Sequence, residues 1–410
     1  MAIIEQSALT GGCQKVAPIQ ATDRRVLRSR NLNTRSEARQ AILSGCQRPS
    51  VATTLAVTLQ LHVINAPHAM YESARAKSLV RTIQRANKYA LSKKYQCLYP
   101  QCAKTASRCH SIQRAACVEA LAKDGHVYTL APTFTSVIGR KSLVESMQVV
   151  RVGVNEAGTF YGFCGQHDYE LFDRAETIRY SKKRGMFISL HFRSVALELC
   201  RKRRTADFLE KAAELVDDPE SADLFSAHAA FYRACVGLCR DLYLDSLFGL
   251  IFGQTDDAIE WYCLPFVRNL QVSCCGMFSV TESIDSAIGF NLISYSDFTT
   301  LLLTTFGAAS EYLDRVLAAY PIPQSARQLV NDVAFRFCEE PLIAPALWER
   351  LNDDQRFSIR MNLRPPDERF VEVESDIIGV GPEDIVHPSP SHLKKLYDRI
   401  YFKPGEIDFH

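Results

Sequence analysis

The chain has 410 residues, of which 47% are hydrophobic and 23% charged, the composition of an ordinary globular protein. This length suits two or three domains. The most apolar run, residues 301–309, is too short to cross a bilayer and is followed by Glu311 and Asp314. These features exclude a membrane-spanning helix, and we expect a soluble protein with no membrane partner.

Charge is distributed unevenly along the chain. Residues 1–95 carry 15 Lys/Arg and 4 Asp/Glu, a net charge of +11, whereas the remainder carries 33 against 42, a net charge of −9. A basic front fits an anionic partner such as DNA or RNA. A basic leader without a partner has the same composition.

The 14 cysteines are scattered, and no secretory signal precedes them. This pattern is typical of a reducing compartment, in which most thiols are buried as small apolar groups. We therefore expect a cytoplasmic protein. The oligomeric state is not indicated.

The basic leader, residues 1–66, is rich in Arg and Ser and has little apolar periodicity, so we expect it to be disordered. The same composition is found in organellar transit peptides. A basic amphipathic helix is predicted over residues 70–92. Its cationic side suits phosphate contacts, although such a side is more often simply solvated.

We expect a zinc-binding domain over residues 67–180. Within it the pattern predicts a short helix, Ala115–Ala122, and two strands, Val127–Leu130 and Met147–Val154. A helical body with a small antiparallel sheet is predicted over residues 181–365, and an irregular tail over residues 366–410. The expected fold class is α+β, in which a treble-clef-like zinc module precedes long helices and the sheet.

The body begins with two helices, Phe187–Leu215 and Ser221–Phe252, which we expect to pack as an antiparallel pair. The first contains a basic cluster, Arg201–Arg204. Strands are predicted at residues 258–266, 270–280, 289–295 and 299–306, and helices at 308–319, at 322–337 and after Pro341. The acidic pairs at 217–218 and 353–354 are typical of helix starts rather than metal sites.

Two pairs of soft ligands, Cys97-x4-Cys102 and Cys164-x-x-His167, have the spacing of a zinc site. Pro100 stiffens the turn of the first pair, and glycines at 162 and 165 permit a tight approach at the second. Pairs separated by a strand-rich insert, the second opening a helix, form the treble-clef arrangement. The alternative is that these are ordinary buried thiols and a helix-terminal histidine.

Two further histidines lie between these pairs. His110 is a candidate fourth ligand in place of His167, or a proton-transfer group. His126 enters a strand after a glycine turn, so a structural hydrogen bond to the backbone is favoured.

The order of a Cys pair, a His followed by Ser-Ile, a strand-rich insert and a Cys-x-x-His that opens a helix resembles the HNH (ββα-metal) superfamily. The sequence is similar above all to a poorly characterised bacterial group with four shared elements: Cys-x4-Cys, His110-Ser-Ile-Gln, Gly125-His-Val-Tyr and Gly162-Phe-Cys-x-x-His-Asp-x-x-Leu-Phe. The resemblance covers residues 95–200 strongly and extends weakly to about residue 350. It implies a catalytic pair, with His110 as the general base and Asp168 as a ligand of catalytic Mg²⁺ or Mn²⁺.

The sequence departs from the HNH pattern at the residues that matter for cleavage. Cys109 stands where an Asp or His ligand is usual, and Asn155 is the only candidate for the expected Asn. We therefore expect a zinc-binding protein that binds nucleic acid. The alternatives are a metal-dependent endonuclease and a structural zinc module in a protein-interaction protein.

Overall fold

A computed structural model describes most of the region between the leader and the tail. The described residues are 69–132, 147–177, 184–251, 259–280, 286–306, 310–320, 322, 325–362, 377–379 and 384–385. The disordered leader (1–66) and nearly all of the irregular tail (366–410) that the sequence predicts lie outside these residues.

Three long helices form one layer: α1 (Ala69–Ser92), α4 (Arg184–Leu215) and α5 (Pro219–Leu238). Between α1 and α4 lie α2 (Glu119–Leu121), which follows a π-helical turn at Arg114–Val118, and α3 (Gly165–Thr177). A π-helical turn at Cys239–Leu244 continues α5 into α6 (Asp245–Ile251). Alanines and larger apolar side chains of α1, α4 and α5 form a common core.

Asp218 shows why α5 begins where it does. Its carboxylate accepts hydrogen bonds from the backbone N–H and the hydroxyl of Ser221, at 3.0 and 2.5 Å. Pro219 occupies the first helical turn, where its missing N–H costs nothing. The acidic pair at 217–218 therefore marks a helix start, as predicted.

The chain contains nine described strands. They are β1 (Cys109–His110), β2 (His126–Pro132), β3 (Met147–Gly153), β4 (Thr159–Phe160), β5 (Ile259–Phe266), β6 (Val272–Ser279), β7 (Ala287–Ser294), β8 (Thr299–Phe306) and β9 (Leu342–Ile343). β1 and β4 pair with each other, and the other seven form one antiparallel sheet in the order β3-β2-β9-β6-β7-β8-β5. The α+β class is confirmed, but the sheet is larger than predicted.

The two-residue strand β9 explains the size of the sheet. Ile343 pairs with Tyr128 of β2 on one side and with Val272 of β6 on the other. The hairpin β2–β3 lies in the predicted zinc-binding domain (67–180). Through β9 it nevertheless extends the sheet formed by β5–β8 of the predicted body (181–365).

Helices cover both faces of this sheet. Helix α4 packs on one face, whereas α7 (Ser310–Ala319) and α8 (Ala326–Asp332), with its following π-helical turn Val333–Phe337, pack on the other. Two short helices, α9 (Pro345–Arg350) and α10 (Asp353–Asn362), follow β9. Within the described ranges, no helix combines the length and the apolar character needed to cross a membrane.

Candidate metal centre

The first ligand pair lies on a tight turn before β1. The Cys97 N–H donates to Lys104 O at 2.9 Å, and the Cys102 N–H donates to Tyr99 O at 3.1 Å. Gln101 completes the turn in the left-handed region, at φ 62°. This backbone directs both thiols of the pair to the same side.

The second ligand pair, Cys164 and His167, lies at the start of α3, shortly after β4. Cys164 immediately precedes the helix and His167 belongs to its first turn. Gly162 permits the close approach, because a Cβ there would stand 2.5 Å from the Phe160 ring. The same role predicted for Gly165 is wrong, since the nearest atom to a Cβ at that position is 4.0 Å away.

Four ligand atoms from these two pairs converge. The Sγ atoms of Cys97, Cys102 and Cys164 and a ring nitrogen of His167 all lie within 4.8 Å of one another. His167 Nδ1 is 3.4 Å from the Cys97 sulfur and 3.5 Å from the Cys164 sulfur, and the sulfurs of Cys102 and Cys164 are 4.0 Å apart. A tetrahedral zinc ion with usual bond lengths needs edges of about 3.6 Å between sulfur and nitrogen and about 3.8 Å between sulfurs. The set fits zinc.

His167 is held in orientation by two neighbours. The Tyr99 ring stacks on it with a centroid distance of 3.7 Å and an interplanar angle of 12°. Its other nitrogen, Nε2, lies 3.9 Å from a carboxylate oxygen of Glu170. A carboxylate on that side favours the proton on Nε2 and leaves Nδ1 free to bind a cation.

The protonation of the thiols depends on local contacts. Burial raises the pKa of the Cys97 thiol to about 11. Burial also raises the pKa of Cys164, but backbone N–H groups in the first turn of α3 and the neighbouring thiols outweigh it, so this pKa is lowered. Thiolate formation is therefore favoured at Cys164, whereas a metal ion must displace the proton of Cys97.

His110 lies outside this group of ligands. It is on β1, where its Nε2 is 3.1 Å from the carbonyl oxygen of Val154. The histidine in the ligand set is therefore His167. His126 Nδ1 lies 2.6 Å from Asp124 O, in agreement with the structural role favoured by the sequence.

Asp168 is in the first turn of α3, and its backbone N–H donates to Cys164 O at 2.9 Å. Its carboxylate contacts the thiol of Cys109, whose pKa is raised to about 12, first by burial and then by this negative charge. Cys109 is therefore a protonated thiol, and its sulfur lies 3.5 Å from the carbonyl oxygens of Ser107 and Phe163.

An aromatic cluster packs the metal centre onto the helical body. Phe163, next to Cys164, lies 5.5 Å from Phe172 of α3 and 5.7 Å from Phe192 of α4, measured between ring centroids. Phe192 makes an edge contact with Phe248 of α6 at 4.8 Å. Side chains beside the ligands are therefore part of the protein core, a connection that ligand spacing does not reveal.

Three of the four cations in the basic cluster Arg201–Arg204 make ion pairs or ring contacts within the protein. Lys202 Nζ lies 2.7 Å from Glu198, and Arg201 pairs with Glu198 and with Glu340 at 3.4 and 3.1 Å. The Arg203 guanidinium stacks 4.0 Å from the centroid of the Tyr95 ring. Arg201, Lys202 and Arg203 therefore all contact other side chains of the fold.

Helix α1, unlike the basic cluster of α4, carries cations that are exposed at the protein surface. Its inward positions, including Ile83, Ala86 and Ala90, are buried, whereas Arg81, Arg85 and Lys88 are exposed. These three cations follow one another at intervals of four and three residues and therefore share a helix face. We call them the α1 basic stripe.

No protein-family model, curated protein or solved structure matches this chain. The likeness to HNH proteins therefore rests on the residues quoted above, and the metal centre on its own geometry.

Proposed function

We propose that this is a zinc-stabilised protein of the treble-clef type that acts by binding nucleic acid. The observation that carries the proposal is the convergence of three thiols and His167 Nδ1 at tetrahedral spacing. The order of elements supports it: a Cys-bearing turn, the β1–β4 pair, and helix α3 with the second pair at its start.

A set of four protein ligands points to a structural role for the metal. Catalytic zinc sites keep one position open for water or substrate, whereas structural sites are filled by Cys and His. When bound, zinc would hold the turn at Cys97 and Cys102 against the start of α3. It would supply stability rather than a reacting water.

The α1 basic stripe is the surface that we assign to nucleic acid. Three exposed cations on one face can neutralise successive phosphates, and each contact releases condensed counterions. We prefer this stripe to the basic cluster of α4, because Arg201 and Lys202 form ion pairs with glutamates of the same chain.

The test compares two triple variants of the full chain in binding assays with a mixed-sequence DNA duplex and an RNA single strand. The stripe variant carries Arg81→Gln, Arg85→Gln and Lys88→Gln; the control carries Arg151→Gln, Arg240→Gln and Arg315→Gln. For the stripe variant, the slope of log affinity against log salt on duplex DNA should fall by about 2.7, since each phosphate contact contributes about 0.9. Wild-type protein that binds neither probe would refute nucleic-acid binding and leave the protein-interaction alternative.

A metal-dependent nuclease is the second candidate. The observation that favours it is the ββα order of β1, β4 and α3, with His110 on β1 and Asp168 in α3. In this proposal His110 takes a proton from water, and Asp168 helps to hold Mg²⁺ or Mn²⁺.

Cleavage assays with added Mg²⁺ or Mn²⁺ separate the two candidates. A nuclease should lose cleavage on His110→Ala while its zinc content stays unchanged. If the wild type cuts neither DNA nor RNA, the nuclease proposal fails and the binding proposal stands. If His110→Ala releases zinc, His110 is a ligand and both the ligand assignment and the nuclease proposal fail.

A further inference from the structure

Helix α5 is apolar on the side that faces away from the core. Its inward side buries Phe225, Ala229 and Tyr232. The exposed residues opposite are also apolar and share one helix face: Ala227, Ala230, Phe231, Ala234 and Leu238. Phe231 and Leu238 are 42% and 44% exposed. Because the outer face of a surface helix is normally polar, this α5 stripe has the character of a covered surface.

Acidic residues stand at both ends of the α5 stripe. Glu220 and Asp223 lie before it on the same face of α5, and Asp241 and Asp245 follow it in the π-helical turn and at the start of α6; all four are exposed. Arg240 is also exposed, but helical spacing places it on another side. The α5 stripe is therefore an apolar strip with negative ends.

This charge pattern decides the kind of partner. A basic amphipathic helix would bury its apolar side on the strip and place cations beside the acidic ends. Two copies of the α5 stripe would instead bring acidic ends together, whether the helices ran parallel or antiparallel, and like charges oppose that pairing.

The chain itself contains a segment with the required chemistry. Within the predicted irregular tail, residues 392–403 have apolar side chains at helical spacing, namely Leu393, Leu396, Tyr397, Ile400 and Tyr401. They also carry four cations and one acid: Lys394, Lys395, Arg399, Lys403 and Asp398. Ser391 is suited to cap a helix, and Pro404-Gly405 to end it.

The lengths also correspond. A helix over residues 392–403 and the α5 stripe from Ala227 to Leu238 have the same number of residues, and each would span about 18 Å at the usual rise per residue. We propose that residues 392–403 dock on the α5 stripe of the same chain as a basic amphipathic helix. This proposal is independent of zinc and of nucleic acid.

Amide hydrogen exchange of the full chain tests the docking. In the wild type, amides of residues 392–403 should exchange at least about tenfold more slowly than unstructured peptide. Ala234→Glu places a charge in the middle of the α5 stripe and should remove this protection. Ala115→Glu, the same change at an exposed site elsewhere, should leave it intact.

A reciprocal variant guards against damage to α5 itself. Leu396→Asp lies in the docking segment, outside the described fold, and should release residues 392–403 while the exchange of α4 and α5 amides facing the core stays unchanged. Residues 392–403 that exchange freely in the wild type would overturn the proposal. Protection that survives both Ala234→Glu and Leu396→Asp would also overturn it.

Sedimentation over a concentration series tests whether the segment docks within one chain. A constant single-chain mass together with protection supports the proposal. Protection that disappears on dilution, together with a mass that rises with concentration, would show that a second copy supplies the segment and would overturn docking in the same chain.

Discussion

Replacing Cys164 with serine tests the metal centre most directly. Cys164 supplies one of the four ligand atoms, and its backbone N–H also donates to the Cys97 sulfur at 3.2 Å. A serine hydroxyl is a poor zinc ligand, so we expect bound zinc to fall from about one per chain to none. Structural zinc contributes about 10–16 kcal/mol in zinc-finger peptides, comparable with the total stability of a domain, about 5–15 kcal/mol.

We expect the loss of stability to be smaller than the zinc-finger figure, because the contact of Phe163 with Phe192 of α4 involves no metal ligand. We expect Cys164→Ser to lower the free energy of unfolding by more than about 4 kcal/mol, a size reached by few single substitutions. Metal analysis of the purified protein and urea unfolding with and without a chelator measure the two effects.

Cys109→Ser is the matched control. Cys109 is fully buried in the same region, but its sulfur lies 3.5 Å from the carbonyl oxygens of Ser107 and Phe163, which a serine hydroxyl can also reach. It should cost about 1–2 kcal/mol and leave zinc in place. A zinc-free wild type, or Cys164→Ser protein that retains one zinc per chain, would refute the metal centre.

Further predictions concern the stability of the fold, at the contact between α4 and the sheet and at the start of α5. Burial lowers the pKa of His191 from 6.5 to about 4, so the folded protein resists protonation there and stability should fall by about 3 kcal/mol as the pH drops from 6.5 to 4. His191→Asn, which keeps a donor for Thr304 Oγ1, should remove this part of the pH dependence in unfolding curves. Gly289→Ala should cost about 2–4 kcal/mol, since its Cβ would stand 2.5 Å from His191 Nδ1. In the same urea titrations Gly153→Ala, with nothing within 4 Å, should change stability by less than about 1 kcal/mol. Asp218→Ala removes the cap of α5 and should lower the thermal midpoint, at a cost of about 1 kcal/mol.

The long helices were predictable because their signals are local. Helix α4 ends at Leu215 as expected, and Asp218 and Pro219 mark the next start through chemistry that involves only neighbouring residues. The ligand pairs were predictable for a similar reason: short spacing between Cys and His is rare unless a metal or a turn requires it. Which histidine completes the set was not predictable, because His110 and His167 both have suitable neighbours in the sequence.

The position of β9 could not be read from the sequence. Leu342 and Ile343 form a strand of only two residues, too short for any periodicity. Their pairing is set by β2 and β6, which lie far away in the chain. Non-local pairing of this kind depends on the assembled core rather than on local preference.

The ion pairs of the basic cluster on α4 could be predicted only in part, for a related reason. A run of cations in a helix predicts a solvated or phosphate-binding face only if no acid meets it in the fold. Glu198 lies one turn from Lys202 and could have been found by helical spacing. Glu340 reaches Arg201 from the segment before β9, so its approach depends on the same non-local pairing.

These contacts connect the metal centre to the rest of the protein by two routes. Phe163 follows Gly162 into the aromatic cluster on α4, and the β2–β3 hairpin inserted between the ligand pairs joins the sheet through β9. A change at the ligands therefore reaches α4 through packing and the sheet through hydrogen bonds. The first route is a few residues long and the second passes through a two-residue strand. Loss of zinc should therefore loosen α3 and the β1–β4 pair before it affects β6–β8, whose mutual pairing does not involve the ligand segment.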